Sequence, residues 1–184
     1  MEVKLIITDF DGTLVNTFQA NFHAYCDAFG QVGLPLSETQ YRSCYGLRFD
    51  NFMDTMGIAD ADIRKRIRMI KGECYPCYFG MLQVNQPLLD FIRMFRCCGG
   101  KTAVASTARG KNLKNALNYI GAVNDFDLIL AGEDVKDGKP SPEIYNTVMS
   151  RMGISPNETL IFEDSSVGLQ AAHAAGAHYI KIAL

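Results

Sequence analysis

The sequence predicts an α/β fold in which helices cover a parallel β-sheet and a separate helical segment is inserted after the first strand. Five short apolar runs mark the strands: 3–8, 102–105, 128–131, 159–162 and 179–183. The first run is rich in branched residues, which is typical of a parallel strand buried on both faces. The 93 residues from 9 to 101 are too many for one crossover helix, so they indicate an insertion.

The helices of the predicted core are recognised by apolar residues that recur every three or four positions. Each pattern is bounded by a proline that can open a helix or by a glycine that commonly ends one. The four patterns are 88–95 after Pro87, 113–120 before Gly121, 144–152 before Gly153, and 167–172 before Gly176. Because each lies between two consecutive strand-like runs, the predicted sheet is parallel.

The insertion carries two amphipathic helical patterns. One consists of aromatic residues spaced four, three and four positions apart, and the other has apolar residues at the same spacing. The two sets are Phe18, Phe22, Tyr25 and Phe29, and Ile63, Ile67, Ile70 and Cys74. We therefore expect a helical cap domain at 16–80 and a core domain formed by 1–15 and 81–184.

Composition and charge limit the classes of function. The chain has 18 basic and 20 acidic residues and a net charge of -2, which favours neither nucleic acid nor a membrane surface as a partner. No run approaches the ~20 apolar residues of a membrane span, and the N-terminal run is too short for a secretion signal. We expect a cytoplasmic protein that acts on small molecules, with a monomer favoured. The six cysteines show no disulfide framework, and buried free thiols are expected.

Polar side chains follow the carboxyl ends of the predicted strands. In an open parallel sheet these ends line one edge, where ligands bind. One site can therefore collect all of the residues found there. They are Asp9 and Asp11 after the first run, Ser106 and Thr107 after the second, Lys139 in the loop after the third, and Glu163 and Asp164 after the fourth.

The carboxylates of Asp9 and Asp11 need something that offsets their repulsion. Residues two apart on a strand point to the same face, and two charges ~4 Å apart repel by about 4 kcal/mol at an effective dielectric of about 20. A bound cation, a shared proton or solvent exposure would each relieve this. Three or four carboxylates beside a lysine and a hydroxyl favour the cation, and oxygen-only ligands suit Mg²⁺.

The motifs resemble those of the haloacid dehalogenase superfamily. Residues 9–13 (DFDGT), Ser106, residues 138–140 (GKP) and residues 163–168 (EDSSVG) are similar to its four signature motifs in the same order, and the insertion stands where that family carries its helical cap. Residues 168–177 resemble the phosphoglycolate phosphatase and β-phosphoglucomutase group. The resemblance spans essentially the whole chain and implies a Rossmann-like core with strand order 5-4-1-2-3.

The resemblance and the chemistry together assign roles to the motif residues. Asp9 is the expected nucleophile that attacks phosphorus and forms an aspartyl-phosphate, and Asp11 is the expected acid/base for the leaving alcohol and the attacking water. The expected Mg²⁺ ligands are Asp9, Asp11 through its backbone carbonyl, and Asp164, with Glu163 as a ligand or as a partner of one. Lys139 is expected to counter the charge on Asp9. The expected phosphate-binding residues are Ser106, Thr107, Lys139 and Arg109.

Other functions use parts of the same pattern. Taken alone, Asp-x-Asp-Gly also marks turns and calcium loops. A dehalogenase would use Asp9 without metal and leave the other carboxylates crowded and idle. A receiver-like signalling domain carries its phosphorylated aspartate after the third strand, where this sequence has Ala131 and Gly132. A catalytically inactive binding protein would not need the complete set of motif residues.

A β-phosphoglucomutase-like mutase is the main alternative to a phosphatase. In that branch a cap histidine lies four residues beyond the threonine that closes the extended first motif, and the corresponding threonine here is Thr17. The position of the histidine is therefore Asn21, whose amide cannot shuttle protons near neutral pH. Arg48 lies one place short of the arginine that binds the distal phosphate in the mutases. Arg109 is the last residue of the segment 106–109, whose pattern resembles the second motif of the mutases. We therefore expect a Mg²⁺-dependent phosphatase of a small phosphorylated metabolite of the phosphoglycolate or sugar phosphate type, with Asn21 and Arg48 as candidate substrate contacts.

Overall fold

A computed structural model describes residues 2–183 of the 184-residue chain. These residues fold as two compact units, one made of 2–16 and 83–183 and the other of Thr17–Leu82. The helical segment expected from the sequence, 16–80, differs from the second unit by one residue at its start and by two at its end. Its action as a cap over the site stays a prediction.

The first unit is built on a parallel sheet. Its strands are β1 (Leu5–Thr8), β2 (Val15–Asn16), β3 (Gln83–Val84), β4 (Lys101–Ala105), β5 (Leu128–Leu130), β6 (Thr159–Glu163) and β7 (His178–Lys181). Among residues 2–183, five of them form one sheet in the order β5-β4-β1-β6-β7. Counted along the chain, this is the expected order 5-4-1-2-3 seen from the opposite edge, and the α/β fold class is confirmed. A detail that the sequence did not predict is the antiparallel ribbon of β2 and β3.

The helices alternate with the strands of the sheet, as the apolar patterns predict. The second unit contains α1 (Phe18–Gln31), α2 (Glu38–Cys44), α3 (Phe49–Thr55) and α4 (Ala61–Cys74), followed by a 3₁₀ segment at Tyr75–Met81. The first unit contains α5 (Gln86–Cys97), α6 (Gly110–Tyr119), α7 (Glu143–Met152) and α8 (Ser166–Ala174). The sequence patterns located α1 and α4 but not the two seven-residue helices between them.

The position of β1 at the centre of the sheet determines where the site forms. Its four residues are all buried, and its last residue, Thr8, is aligned with Val104 of β4 and Phe162 of β6. Leu5 and Ile7 pack into a core cluster shared with α7 and α8. Because the three central strands run in parallel and in register, the residues that follow them meet at one edge.

The second unit has a hydrophobic core of its own, dominated by aromatic rings. Phe29 and Phe52 stack with ring centroids 5.8 Å apart, and Tyr25 meets Phe52 edge-on at 5.0 Å. Ile67 of α4 is fully buried in the same cluster. These contacts join α1, α3 and α4 into a compact body.

The cysteines depart from the expectation of buried thiols. All six lie among the described residues and are free, but only Cys44 is buried, while Cys77, Cys97 and Cys98 are exposed. The expectation is therefore wrong for these three. None of the helices that the structure describes is long and apolar enough to cross a membrane.

Candidate active site

The first motif forms a tight turn at the carboxyl end of β1. The Asp9 N–H donates to the Phe162 carbonyl of β6 at 2.9 Å, which holds Asp9 at the end of the sheet. The chain then folds back, and the Gly12 N–H donates to the Val15 carbonyl at 2.8 Å. Gly12 has a φ of 92°, a conformation that strongly favours glycine. The turn thereby places both Asp9 and Asp11 at the sheet edge.

Asp164 lies directly against this turn. A Cβ atom on Gly12 would come 2.8 Å from Cγ of Asp164, so only glycine leaves room for the carboxyl group. The hydroxyl of the fully buried Thr13 donates to Asp164 Oδ1 at 3.0 Å. The first and last motifs of the sequence therefore meet in one place.

Lys139 joins Asp9 and Glu163 in a buried ion network. Its ammonium donates to Asp9 Oδ1 at 2.6 Å, to Glu163 Oε1 at 2.5 Å and to the Ala105 carbonyl at 3.1 Å. Its side chain is 3% exposed. An ammonium has three N–H donors, and these acceptors engage all of them. Direct contact with a phosphate would require one of these bonds to break, so the geometry supports the expected counter-charge to Asp9 more than the expected phosphate contact.

Glu163 is held by five donors. Its Oε1 accepts from Lys139 and, at 3.0 Å, from the Tyr145 hydroxyl. Its Oε2 accepts from the Asp164 N–H at 2.9 Å and from both the N–H and the hydroxyl of Ser165 at 3.0 Å. A carboxylate offers about four lone-pair directions. These contacts therefore disfavour Glu163 as a metal ligand and favour the alternative, a partner that holds other site residues.

Ser106 lies beside Asp11 at the end of β4. Its hydroxyl donates to Asp11 Oδ2 at 3.3 Å and accepts the Ala108 N–H at 3.0 Å. The loop that follows β5 supports this segment, because the Gly132 N–H donates to the Ala108 carbonyl at 2.9 Å. The structure thus brings Ser106 together with the first motif.

Thr107 and Arg109 are more open than Ser106. Thr107 is half-buried, and Arg109 is exposed and immediately precedes α6. The N–H of Gly110, the first residue of α6, donates to Glu133 Oε1 at 3.0 Å. The expected phosphate-binding roles of Thr107 and Arg109 stay predictions.

Burial controls the ionisation of the site. Removal from water raises the pKa of the Asp9 carboxyl well above its usual value, although the charge of Lys139 acts in the opposite direction. Burial alone would lower the pKa of Lys139, but the negative charges of Asp9 and Glu163 hold it well above its usual value. Burial, followed by the charge of Glu163, also raises the pKa of Asp164. One lysine is thus too little positive charge for these carboxylates, and a further cation would favour their ionised forms.

The oxygen atoms at this edge fit Mg²⁺. Within residues 2–183 no three His, Cys, Asp or Glu side chains converge closely enough to hold a metal ion by themselves, so the expectation of three or four carboxylates around one ion is not met there. Mg²⁺ does not require this, because proteins commonly bind it through one or two carboxylates and leave other positions to water and substrate phosphate. Asp9 and Asp164, with the backbone carbonyl of Asp11, are the candidates for such a set, and their role as metal ligands stays a prediction.

Tyr145 is a member of the site that the sequence analysis missed. It lies fully buried on α7, its hydroxyl donates to Glu163, and its ring centroid lies 5.1 Å from the Lys139 ammonium. In the sequence it stands next to Ile144, within an apolar helical pattern. The signal that could have revealed it is that a buried tyrosine hydroxyl needs a hydrogen-bond partner.

The two candidate substrate residues of the insertion lie in the second unit. Asn21, on α1, is 8% exposed, and its amide donates to Thr17 Oγ1 at 3.0 Å. The same Thr17 oxygen lies 2.9 Å from the Tyr45 hydroxyl. Arg48 is half-buried and precedes α3 as its N-cap residue. Contact of either residue with a substrate stays a prediction.

Comparison with known proteins agrees with the motifs. A family model described as haloacid dehalogenase-like hydrolase matches residues 6–182. A phosphorylated carbohydrates phosphatase of Thermotoga maritima is 28% identical over 180 aligned residues, covering 95% of this chain and 82% of that protein. A haloacid dehalogenase-like hydrolase domain-containing protein of Arabidopsis thaliana is 40% identical over 209 aligned residues, covering 95% of this chain and 66% of that protein. The crystal structure of CbbY from Rhodobacter sphaeroides in complex with phosphate has a TM-score of 0.88 at 25% identity and covers 99% of this chain and 87% of that chain.

The raised pKa of Asp164 predicts that this carboxylate destabilises the metal-free protein at neutral pH. Because its pKa in the folded state lies above the unfolded value of 3.8, its ionisation opposes folding fully above the folded pKa and not at all below about pH 3.8. In excess chelator, Asp164→Asn should therefore raise the melting temperature at pH 7, and the gain should vanish as the pH falls towards 3.8. Added Mg²⁺ should then stabilise the wild type and not the variant.

The control for this experiment is Asp90→Asn, which changes an exposed aspartate of α5. It should alter neither the melting temperature nor the response to Mg²⁺. A lower melting temperature for Asp164→Asn in chelator at pH 7, or equal stabilisation of both proteins by Mg²⁺, would contradict the assignment.

Proposed function

This chain belongs to the haloacid dehalogenase-like hydrolase family, and we propose that it is a Mg²⁺-dependent phosphatase of a small phosphorylated metabolite that works through an aspartyl-phosphate on Asp9. The phosphatase class follows from its relatives; the metal ion, the covalent intermediate and the substrate are what we add. The observation that carries the proposal is the buried Asp9 carboxylate at the end of β1, with the Lys139 ammonium 2.6 Å away and Asp164 against the same turn.

Asp9 is the proposed nucleophile. One of its oxygens attacks phosphorus in line with the leaving alcohol, so an acyl phosphate bond forms as the ester P–O bond breaks. The turn at Gly12 and the backbone hydrogen bond to β6 fix the carboxylate before the substrate arrives. Such prior orientation lowers the entropic part of the barrier.

Three residues are proposed to balance the charge that surrounds Asp9 and the phosphate: Lys139, Asp164 and Ser106. The Lys139 ammonium compensates the carboxylate, and because it also binds Glu163 its charge is divided between the two anions. Asp9, Asp164 and the Asp11 carbonyl would hold Mg²⁺, which when bound would neutralise charge on the phosphoryl oxygens. The Ser106 hydroxyl can turn from Asp11 towards those oxygens.

Asp11 is the proposed acid and base. Its carboxyl group protonates the leaving alcohol in the first step and takes a proton from water in the second, after which phosphate leaves and Asp9 is regenerated. Before the substrate binds, the contact of Ser106 Oγ with Asp11 Oδ2 at 3.3 Å holds the carboxyl, and this contact is released when the hydroxyl turns to the phosphoryl oxygens. This use of the Asp11 side chain is compatible with metal binding through its backbone carbonyl.

The substrate that we propose is a sugar phosphate or a small acid such as phosphoglycolate. The Thermotoga maritima relative is named for phosphorylated carbohydrates, and the similar CbbY structure contains phosphate. A panel of sugar phosphates, phosphoglycolate and nucleotides, assayed for phosphate release with and without Mg²⁺, tests this choice. Release from nucleotides alone would overturn it.

A phosphomutase is the second candidate because it would use the same core residues. It needs a second acid/base near the sugar, and the position at which the related mutases carry histidine is Asn21 here. The Asn21 amide is buried and already donates to Thr17. An amide cannot act as a general acid or base near neutral pH, so water is the expected acceptor of the phosphoryl group. A dehalogenase or a receiver-like signalling domain explains fewer of these contacts.

The role of Asp9 predicts complete dependence on its carboxylate. Asp9→Asn keeps the shape of the side chain but removes the nucleophile, so phosphate release should fall by at least about 10³-fold. The matched control is Asp90→Asn, which should retain full activity. Phosphate release should also stop in excess chelator and return when Mg²⁺ is restored. Turnover by Asp9→Asn, or full activity without divalent metal, would sink the proposal.

The role of Asp11 predicts a dependence on the leaving group. Asp11→Asn should slow the phosphorylation of Asp9 by alkyl phosphates far more than by nitrophenyl phosphate, since nitrophenolate departs with little help from an acid. Single-turnover measurements with both substrates isolate this step from hydrolysis of the intermediate. Equal losses for the two substrates would count against Asp11 as the acid.

Asn21 predicts that the protein releases phosphate rather than moving it within a sugar. In a coupled assay on β-glucose 1-phosphate with a bisphosphate primer, we expect free phosphate to form faster than glucose 6-phosphate. Asn21→His should raise the share of glucose 6-phosphate if this position carries the mutase acid/base. Faster formation of glucose 6-phosphate than of free phosphate by the wild type would overturn the proposal of a phosphatase and favour a mutase.

A further inference from the structure

Tyr145 shares the Glu163 oxygen that Lys139 binds. The Tyr145 hydroxyl donates to Glu163 Oε1 at 3.0 Å, and the Lys139 ammonium donates to the same atom at 2.5 Å. The other oxygen of Glu163, Oε2, accepts from Asp164 and Ser165. The carboxylate is therefore anchored through Oε2, while Oε1 is the oxygen at which the lysine and the tyrosine meet.

The two donors divide the lone pairs of this oxygen. A carboxylate oxygen has two lone-pair directions, and the tyrosine hydroxyl occupies one of them. The ammonium is left with the other, in which it also reaches Asp9 Oδ1 at 2.6 Å. The aromatic ring lies beside the ammonium, 5.1 Å from Nζ to the centroid. Tyr145 is itself fully buried.

From this arrangement we propose that Tyr145 is a positioning residue for the reaction: it confines the Lys139 ammonium to the side of Glu163 that faces Asp9. The inference rests on the proposed function, in which Lys139 compensates the charge of the nucleophile. Without the hydroxyl, the ammonium can move to the vacated lone pair of Glu163 and away from Asp9. The nucleophile then loses part of its counter-charge while the substrate-binding groups stay in place.

The test is Tyr145→Phe, which removes the hydroxyl and keeps the ring. The control is Thr159→Val, because Thr159 is also fully buried and its hydroxyl donates to the Ser155 carbonyl at 2.9 Å at the opposite end of β6. Each variant loses one buried hydroxyl, so each should lower the melting temperature by about 2–4 °C. Loss of stability by itself therefore does not distinguish them.

Two measurements distinguish a positioning role of the Tyr145 hydroxyl from a loss of protein stability. With the best phosphate ester, Tyr145→Phe should lower kcat about tenfold and leave KM little changed, whereas Thr159→Val should retain wild-type kcat. Proton–nitrogen NMR of the lysine ammonium groups reports Lys139 directly, identified by its contacts to the ring at position 145. Its signal should shift and its protons should exchange with water faster in Tyr145→Phe, and both should be unchanged in Thr159→Val.

The outcomes distinguish this inference from the proposed function. An unchanged kcat in Tyr145→Phe, or an ammonium signal identical to that of the wild type, would overturn the positioning role. Equal losses of kcat in both variants would overturn it as well, because the effect would then be one of stability. If the wild type releases phosphate from no substrate, the proposed function fails, and the ammonium signal still decides whether Tyr145 positions Lys139.

Discussion

The buried ion network of Asp9, Lys139 and Glu163 is the constraint on which the rest of the site depends. It places one positive and two negative charges where almost no water reaches them, and the Lys139 and Glu163 side chains are 3% and 1% exposed. Removing one partner from a buried ion pair costs on the order of 3–5 kcal/mol, because the other charge is left uncompensated. The network also has more negative than positive charge. A site with this excess of negative charge favours the binding of a cation, which in the proposed function is Mg²⁺.

The glycines and backbone N–H groups around the carboxylates follow from the same constraint. A Cβ atom at Gly168 would overlap the Glu163 carboxylate, and one at Gly12 would collide with Asp164. The absence of these side chains lets the carboxylates approach backbone donors, as the bonds from Asp164 N–H and Ser165 N–H to Glu163 show. Backbone donors cannot rotate away as side chains can, so they hold the charge in a fixed direction before the substrate arrives.

The sequence predicted the sheet and the motif residues because both depend on local patterns. Apolar runs that end just before Asp9 and Glu163 predict buried strands and the sheet edge at which those strands end. Hydrogen bonds between distant positions leave no such trace, which is why Tyr145 was missed and why Glu163 stayed undecided between ligand and partner. The helices Glu38–Cys44 and Phe49–Thr55 were missed for a different reason, since seven residues hold too few turns to show a clear period.

The choice between releasing and transferring the phosphoryl group does not lie in this network. Asp9, Lys139 and Asp164 would serve a phosphatase and a mutase equally, because both begin by phosphorylating the aspartate. What differs is which group exchanges a proton with the acceptor, and the residue in question, Asn21, belongs to a unit with its own aromatic core. On the proposed function, a substitution at Asn21 is expected to change the acceptor without disturbing the buried charges. Charge balance and the choice of acceptor would then depend on different units of the chain.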